Sequence, residues 1–184
     1  MGTVTMLRRP AKTALLAQME NIRQNFVLGL AAASLFNSEK ALPILDGTTC
    51  IIGPYALGFS QVSTILRNPG DKGLLLKEFA KLQLRTLVRE SLSAIETYCR
   101  CHRCVSQLER QPWYEFARII DNCLAGNGRF VFDARDKAVL PVCWNDKVLT
   151  LDLQNQPLCF SRFSPADGWE LFQEMNDFAD RRLL

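Results

Sequence analysis

Three features of this 184-residue chain point to a mainly α fold, a helical bundle with a small antiparallel β-hairpin or sheet inserted between its last two helices. Apolar residues recur every three or four positions through most of the sequence, the period of a helix with one buried face. One stretch, Arg129–Trp144, changes to alternating apolar residues, the period of a strand. Helix punctuation brackets that stretch, with Gly126-Asn127-Gly128 before it and Ser164-Pro165 after it. The length suits a single domain over residues 1–184 with a sizeable core. A composition of 48% hydrophobic and 22% charged residues is that of a soluble globular protein.

Residues 1–9 read as a flexible arm. The spacing then predicts a helix over Pro10–Phe36, with Leu15, Met19, Ile22, Phe26 and Leu30 on its inner stripe. Residues 37–56 read as a loop zone, because Pro43, Gly47, Gly53 and Pro54 punctuate it and Asp46-Gly47 signals a turn. Thr49–Ile52 is an extended candidate within it. A second helix follows over Leu57–Leu66 with Phe59, Val62, Ile65 and Leu66 inward, and Asn68-Pro69-Gly70 stops it. Asp71 is the expected cap of a third helix from Lys72 toward Glu109, with a break near Cys101. Leu75, Phe79, Leu82, Thr86 and Leu87 form its early inner face, and Val88, Ser91, Ile95 and Tyr98 its later one.

The fourth helix is Pro112–Ala125. Proline is suited to a first turn, where its missing N–H has no intrahelical partner to lose, and Trp113, Phe116, Ile119, Ile120 and Cys123 follow at helical spacing. Arg129–Phe132 and Val139–Trp144 are expected to pair across Asp133–Ala138, with Val148–Leu153 a further strand reached through the turn-forming Asn145-Asp146. Leu158–Phe160 is a last extended candidate. In the final helix Ser164 is the N-cap, Pro165 the first helical residue and Asp167 the closing partner of the cap, with Trp169, Phe172, Met175 or Asn176, and Ala179 inward.

The end of the fourth helix gathers polar residues beside a forced turn: Arg118, Asp121, Asn122 and Asn127. Two readings stand, a core helix with a solvated face and a glycine cap, or a site built on that corner. Ile119-Ile120-Asp121-Asn122-Cys123-Leu124-Ala125-Gly126-Asn127-Gly128 resembles the signature helix end of the HEPN family. These are small all-helical bundles, many of them metal-independent ribonucleases and toxins of bacterial conflict systems. Their usual motif is Arg, a polar residue, three or four variable residues and His, often followed by Asn-Gly and an extended stretch. Asn122 falls on the polar position and Asn127-Gly128 on the trailing pair. Asp121 stands where the family has Arg, and Gly126 where it has His. The similarity covers roughly the last 75 residues.

The resemblance implies a homodimer with two signature ends facing each other, acting on RNA. The family's His moves a proton during RNA cleavage and its Arg stabilises charge on the phosphate. Neither group is present here, so the expectation is an RNA-directed domain with no intact catalytic residue. Asp121 would repel a phosphate and Gly126 cannot exchange a proton. Two origins fit: a natural degenerate member, or a chain altered at 121 and 126 to suppress toxicity. Arg118, Asn122 and Asn127 are the candidate RNA contacts at the corner. Arg85 and Arg89, one helical turn apart, are read either as two solvated arginines or as a phosphate clamp. A non-enzymatic dimeric binding module, regulatory or antitoxin-like, is the second function class, and an antitoxin or defence-system protein a candidate partner.

Composition bounds these readings. A net charge of +3 permits nucleic-acid binding without the dense basic patch of a dedicated binder. Seven cysteines, an odd number with no secretory signal before them, suggest reduced thiols and a cytoplasmic setting. No apolar run reaches the roughly 18 residues of a membrane span. Met1-Gly2 lacks the Ser or Thr at position 6 that myristoylation needs. Cys99, Cys101, His102 and Cys104 form a C-R-C-H-R-C cluster, the candidate zinc or redox site, but no second C-x-x-C supplies the ligands from another segment that a closed zinc site takes. His102 is the sole histidine, which leaves little for nucleophilic catalysis. Asp121 with Glu96 or Glu115 is the carboxylate pairing available. No Walker or Rossmann glycine loop is present, and no cofactor is implied.

Overall fold

A computed structural model describes residues 10–184 of the chain; the arm expected at 1–9 lies outside the described residues. The fold is mainly helical with two short antiparallel hairpins. The backbone groups into two compact units, one of Gln24–Leu84 and one of Arg85–Leu184 with the chain up to Arg23. Helix α1 (Lys12–Asn37) begins in the second of these and continues into the first. Leu15, Met19, Ile22 and Phe26 are its buried stripe, as the spacing predicts. The stripe continues at Gly29 rather than Leu30: the Gln83 side chain lies so close that a Cβ at position 29 would sit 2.3 Å from its Oε1.

The Gln24–Leu84 unit contains more structure than the expected loop zone. Helix α2 (Ala41–Gly47) leads into strands β1 (Thr49–Ile52) and β2 (Tyr55–Gly58), which pair antiparallel from Thr49↔Gly58 to Ile52↔Tyr55. Gly53, at φ +57, supplies the positive φ that the first position of a II′ turn needs. Residues 57–58 are therefore strand, and α3 is confined to Ser60–Arg67. Asp46 of α2 holds α3 by accepting from Ser63 Oγ at 2.5 Å and pairing with Arg67. Leu66 is buried as expected, whereas Ile65, also expected inward, is exposed and Ser63 faces in.

Asn68-Pro69-Gly70 ends α3 and also starts α4 (Pro69–His102). The Asn68 side chain accepts from the Gly70 N–H at 3.1 Å and Pro69 occupies the first helical position, so Asp71 is inside the helix, not its cap. The early inner face also differs from expectation. Leu75, Leu82 and Thr86 are exposed, while Leu84, Leu87, Val88, Ser91, Leu92, Ile95 and Tyr98 are buried. The break expected near Cys101 comes at Arg103, at φ +58, where the Cys104 N–H donates back to the Cys99 carbonyl at 3.0 Å. A short α5 (Val105–Glu109) follows.

Helix α6 (Tyr114–Ala125) is buried around most of its circumference. Phe116 packs between Trp144 and Phe163 in tilted ring pairs, at centroid distances of 5.1 and 6.0 Å. The chain after α6 does not form the expected hairpin. Asp133 caps a helix, α7 (Ala134–Val139): it accepts from the Asp136 N–H, and the Asp136 carboxylate accepts in return from the Asp133 N–H. Arg129–Phe132 runs instead beside residues 155–158. Phe130 N–H donates to the Gln156 carbonyl, Asn155 N–H to that of Phe130 and Leu158 N–H to that of Gly128, at 2.7–3.0 Å. The hairpin is β3 (Val142–Trp144) with β4 (Lys147–Leu149), turned by Asn145-Asp146, and a single 3-10 turn occupies Leu151–Leu153.

Helix α8 (Pro165–Arg181) starts as the residues predict, with the Ser164–Asp167 capping box and Pro165 at the first position. Its buried face is Gly168, Leu171, Phe172, Met175, Phe178 and Ala179, while Trp169 is half-buried against Phe172. Lys12 Nζ at the start of α1 donates to the Asp180 and Leu183 carbonyls, where a cation offsets the negative end of α8.

Candidate functional site

The corner at the end of α6 is built by its backbone. Gly126 N–H donates to the Asn122 carbonyl at 2.9 Å, and Gly128 N–H reaches the Cys123 carbonyl at 3.0 Å, the closure of a Schellman motif. Asn127 and Gly128 sit in the left-handed region at φ +63 and +69, whereas Gly126 does not, at φ −90. Asn tolerates that region better than other residues with a side chain, which is why the corner needs no glycine at 127. Asn122, Gly126 and Asn127 are all exposed. The Asn122 and Asn127 side chains have no hydrogen-bond partner among the described residues.

Asp121 is half-buried beside this corner, and its Oδ1 is enclosed with no hydrogen-bond partner among the described residues. Burial pushes its carboxyl above the ordinary range. The charges of Arg89 and Arg85 pull it back, and Glu96 and Glu90 push it further up. Arg85 and Arg89 are exposed and make no ion pair within 4 Å among the described residues, so both guanidiniums are open to an anion. The fold thus brings Arg85 and Arg89 near enough to Asp121 for their charges to act on it, with Glu90 and Glu96 as opposing charges.

Arg118 departs from expectation. It is 9% exposed, with Nε 2.7 Å from Glu115 and Nη2 2.6 Å from Asp136, so its charge is already matched inside the protein and does not face a ligand. Sequence reasoning missed this pair, although Glu115 lies three residues earlier on the same helix face, a spacing that does signal it. Glu115 also receives Arg135 at 2.9 Å. Burial alone would raise the Glu115 carboxyl, but Arg118 and Arg135 outweigh it and hold it below the usual range. Glu115 is therefore part of this ion-paired group. Of the two carboxylates expected to partner Asp121, Glu96 is the one whose charge acts on it, and Glu96 also accepts from Tyr114 Oη at 3.2 Å.

The cysteine cluster is divided by the end of α4. Cys99 is buried, and burial together with the neighbouring Cys104 pushes its thiol up to about 12. His102 is turned onto its own helix: Nδ1 lies 3.0 Å from the Tyr98 carbonyl, and the ring stacks on Tyr98 at 4.0 Å. Cys101 and Cys104 are half-buried. Among the described residues no three His, Cys, Asp or Glu side chains converge to hold a metal ion. No helix among them is long and apolar enough to cross a membrane.

The end of α6 therefore presents exposed amides and one enclosed carboxylate oxygen without a partner, with the charges of two open arginines of α4 acting on it. That set can bind an anion, and it holds no imidazole to move a proton. No family model matches the chain, and no curated protein or solved structure matches it either.

Proposed function

We propose that this chain is a HEPN-like, RNA-directed domain of a bacterial defence or toxin-type system that does not cleave RNA. The observation that carries this reading is the pair of open guanidiniums, Arg85 and Arg89, whose charges act on Asp121 beside the exposed end of α6. Two exposed arginines one turn apart are suited to a phosphate backbone. Asp121 and Gly126 stand where the family carries its Arg and His, which accounts for a binding surface without a proton-transfer group. In this reading two copies pair corner to corner, and RNA lies across both.

The double substitution Asp121→Arg with Gly126→His tests the proposal. Gly126 has an ordinary φ, and a Cβ there would lie 3.2 Å from the Asn122 backbone carbonyl, which must give by a few tenths of an ångström to admit it. Restoring an acid–base group is expected to raise RNA cleavage by about 10²–10⁴-fold, and restoring an electrostatic group by about 10²–10³-fold. Degradation of total RNA by the variant, and none by the parent chain, is the expected outcome. A folded variant that cuts nothing would sink the proposal. It would favour a second reading, a non-enzymatic binding or regulatory module, which the exposed apolar hairpin at residues 49–58 supports.

A further inference from the structure

We infer that Cys99 and Cys104 are a redox pair that a hydroperoxide closes into an intramolecular disulfide, a modification that pins the joint between α4 and α5. The inference is independent of the RNA-directed reading. The last turn of α4 closes as a Schellman motif. The Arg103 N–H donates to the Arg100 carbonyl at 3.3 Å and the Cys104 N–H to the Cys99 carbonyl at 3.0 Å, with Arg103 left-handed at φ +58. That motif sets two side chains against each other, one from the last helical turn and one from just past the helix end, and the contact is usually apolar. Here both are thiols, and the Cys99 thiol donates a hydrogen bond to the Cys104 sulfur. The backbone bond between the same two residues holds their Cα atoms within the roughly 4.4–6.8 Å that a disulfide spans.

Other uses of these sulfurs are closed off. Cys104 is the N-cap of α5, but its side chain makes no cap hydrogen bond. Cys101 is no partner for Cys99, because two residues place it about 200° round the helix. His102 is turned to the Tyr98 carbonyl, and among the described residues no three ligand side chains converge on a metal position.

Access sets the order of steps. Cys99 is fully buried and Cys104 half-buried, so Cys104 meets the oxidant. Burial, and then the hydrogen bond to Cys104, keep the proton on Cys99. At Cys104 an S–O bond forms as the peroxide O–O bond breaks, and the thiol proton leaves with the released oxygen as water or alcohol. Once Cys104 is a neutral sulfenic acid, its charge no longer holds the proton on Cys99. Cys99 then attacks the sulfenic sulfur: the S–S bond forms, the S–O bond breaks, and the oxygen leaves with the Cys99 proton as water. Two thiols and one hydrogen peroxide thus give one disulfide and two waters.

The test treats the reduced full chain with excess hydrogen peroxide, alkylates the remaining thiols in denaturant and maps the peptides without reduction. The expected product is a Cys99–Cys104 link within one chain, lighter than the dithiol by two hydrogen atoms and reversed by dithiothreitol. Exposed Cys159 is the internal control for the oxidant. Recovery of Cys99 and Cys104 as alkylated thiols when Cys159 is oxidised overturns the inference, as does a link from either to a different cysteine. Cys104→Ser, with helical circular dichroism unchanged, should leave Cys99 alkylatable at the peroxide dose that closes the parent pair, and loss of the Cys99 thiol at the parent rate overturns the pairing. Amide exchange over 103–109 should slow in the oxidised chain, and an unchanged rate overturns the pinning of the joint.

Discussion

Asp121 is the most conflicted side chain of the candidate site. Its carboxyl titrates above its unfolded value because burial outweighs the attraction of Arg89 and Arg85, with Glu96 and Glu90 adding to the effect of burial. A group whose folded pKa is raised binds its proton more tightly when folded. The stability this gives is present below the unfolded carboxylate pKa and lost as pH rises through the folded one. Asp121→Asn removes the loss. The variant is expected to exceed the parent chain by about 1 kcal/mol at pH 7, the low end of what an unsatisfied buried polar atom costs. The difference should vanish below the ordinary carboxylate range. Urea denaturation at neutral and acid pH checks it, and a parent chain more stable than the variant at pH 7 would mean that the two arginines anchor an ionised Asp121.

Between elements, the Arg118–Asp136 pair joins α6 to α7. Asp136 is 1% exposed, closes the α7 capping box and faces the guanidinium of Arg118 at 2.6 Å. Asp136→Ala strips a buried cation of its partner and opens the cap, and should cost about 3–5 kcal/mol. Arg135→Ala removes an exposed arginine from Glu115 and should cost at most about 1 kcal/mol. Thermal or urea denaturation separates the two; equal losses would show that α7 is not held through this pair. The same comparison bears on the candidate site, since an Arg118 bound to two carboxylates is structural and leaves Arg85 and Arg89 as the open cations whose charges act on Asp121.

Across the whole chain the two units differ in how much apolar surface they bury. In Gln24–Leu84 the buried apolar side chains are Phe26, Leu66 and Leu84, whereas Arg85–Leu184 includes the Phe116–Trp144–Phe163 cluster and the inner faces of α4, α6 and α8. Opening free energy follows buried contacts, so the monomeric chain is expected to open first at α2, α3 and the β1–β2 hairpin. Hydrogen exchange at low urea should show those amides exchanging while α6 and α8 remain protected. Simultaneous exchange of both sets would show one cooperative unit.

What the residues determine unaided is local. The stripe Leu15–Met19–Ile22–Phe26 and the Ser164-Pro165-x-Asp167 cap carry their own geometry within a turn or two, so α1 and α8 are legible before any packing is known. The Gly126-Asn127-Gly128 corner is legible for the same reason. The tertiary structure decided what depends on distant segments. Arg129–Phe132 has the alternation of a strand but not the identity of its partner; it took residues 155–158, and the Asp133–Asp136 box made a helix of the expected turn. Arg118 looked available because Asp136 lies eighteen residues away. The inner face of α4 was misread because a helix rich in leucine offers several apolar stripes, and its neighbours select one. Period and capping are fixed by bonds along the chain, whereas partner choice and burial are fixed by which surfaces meet.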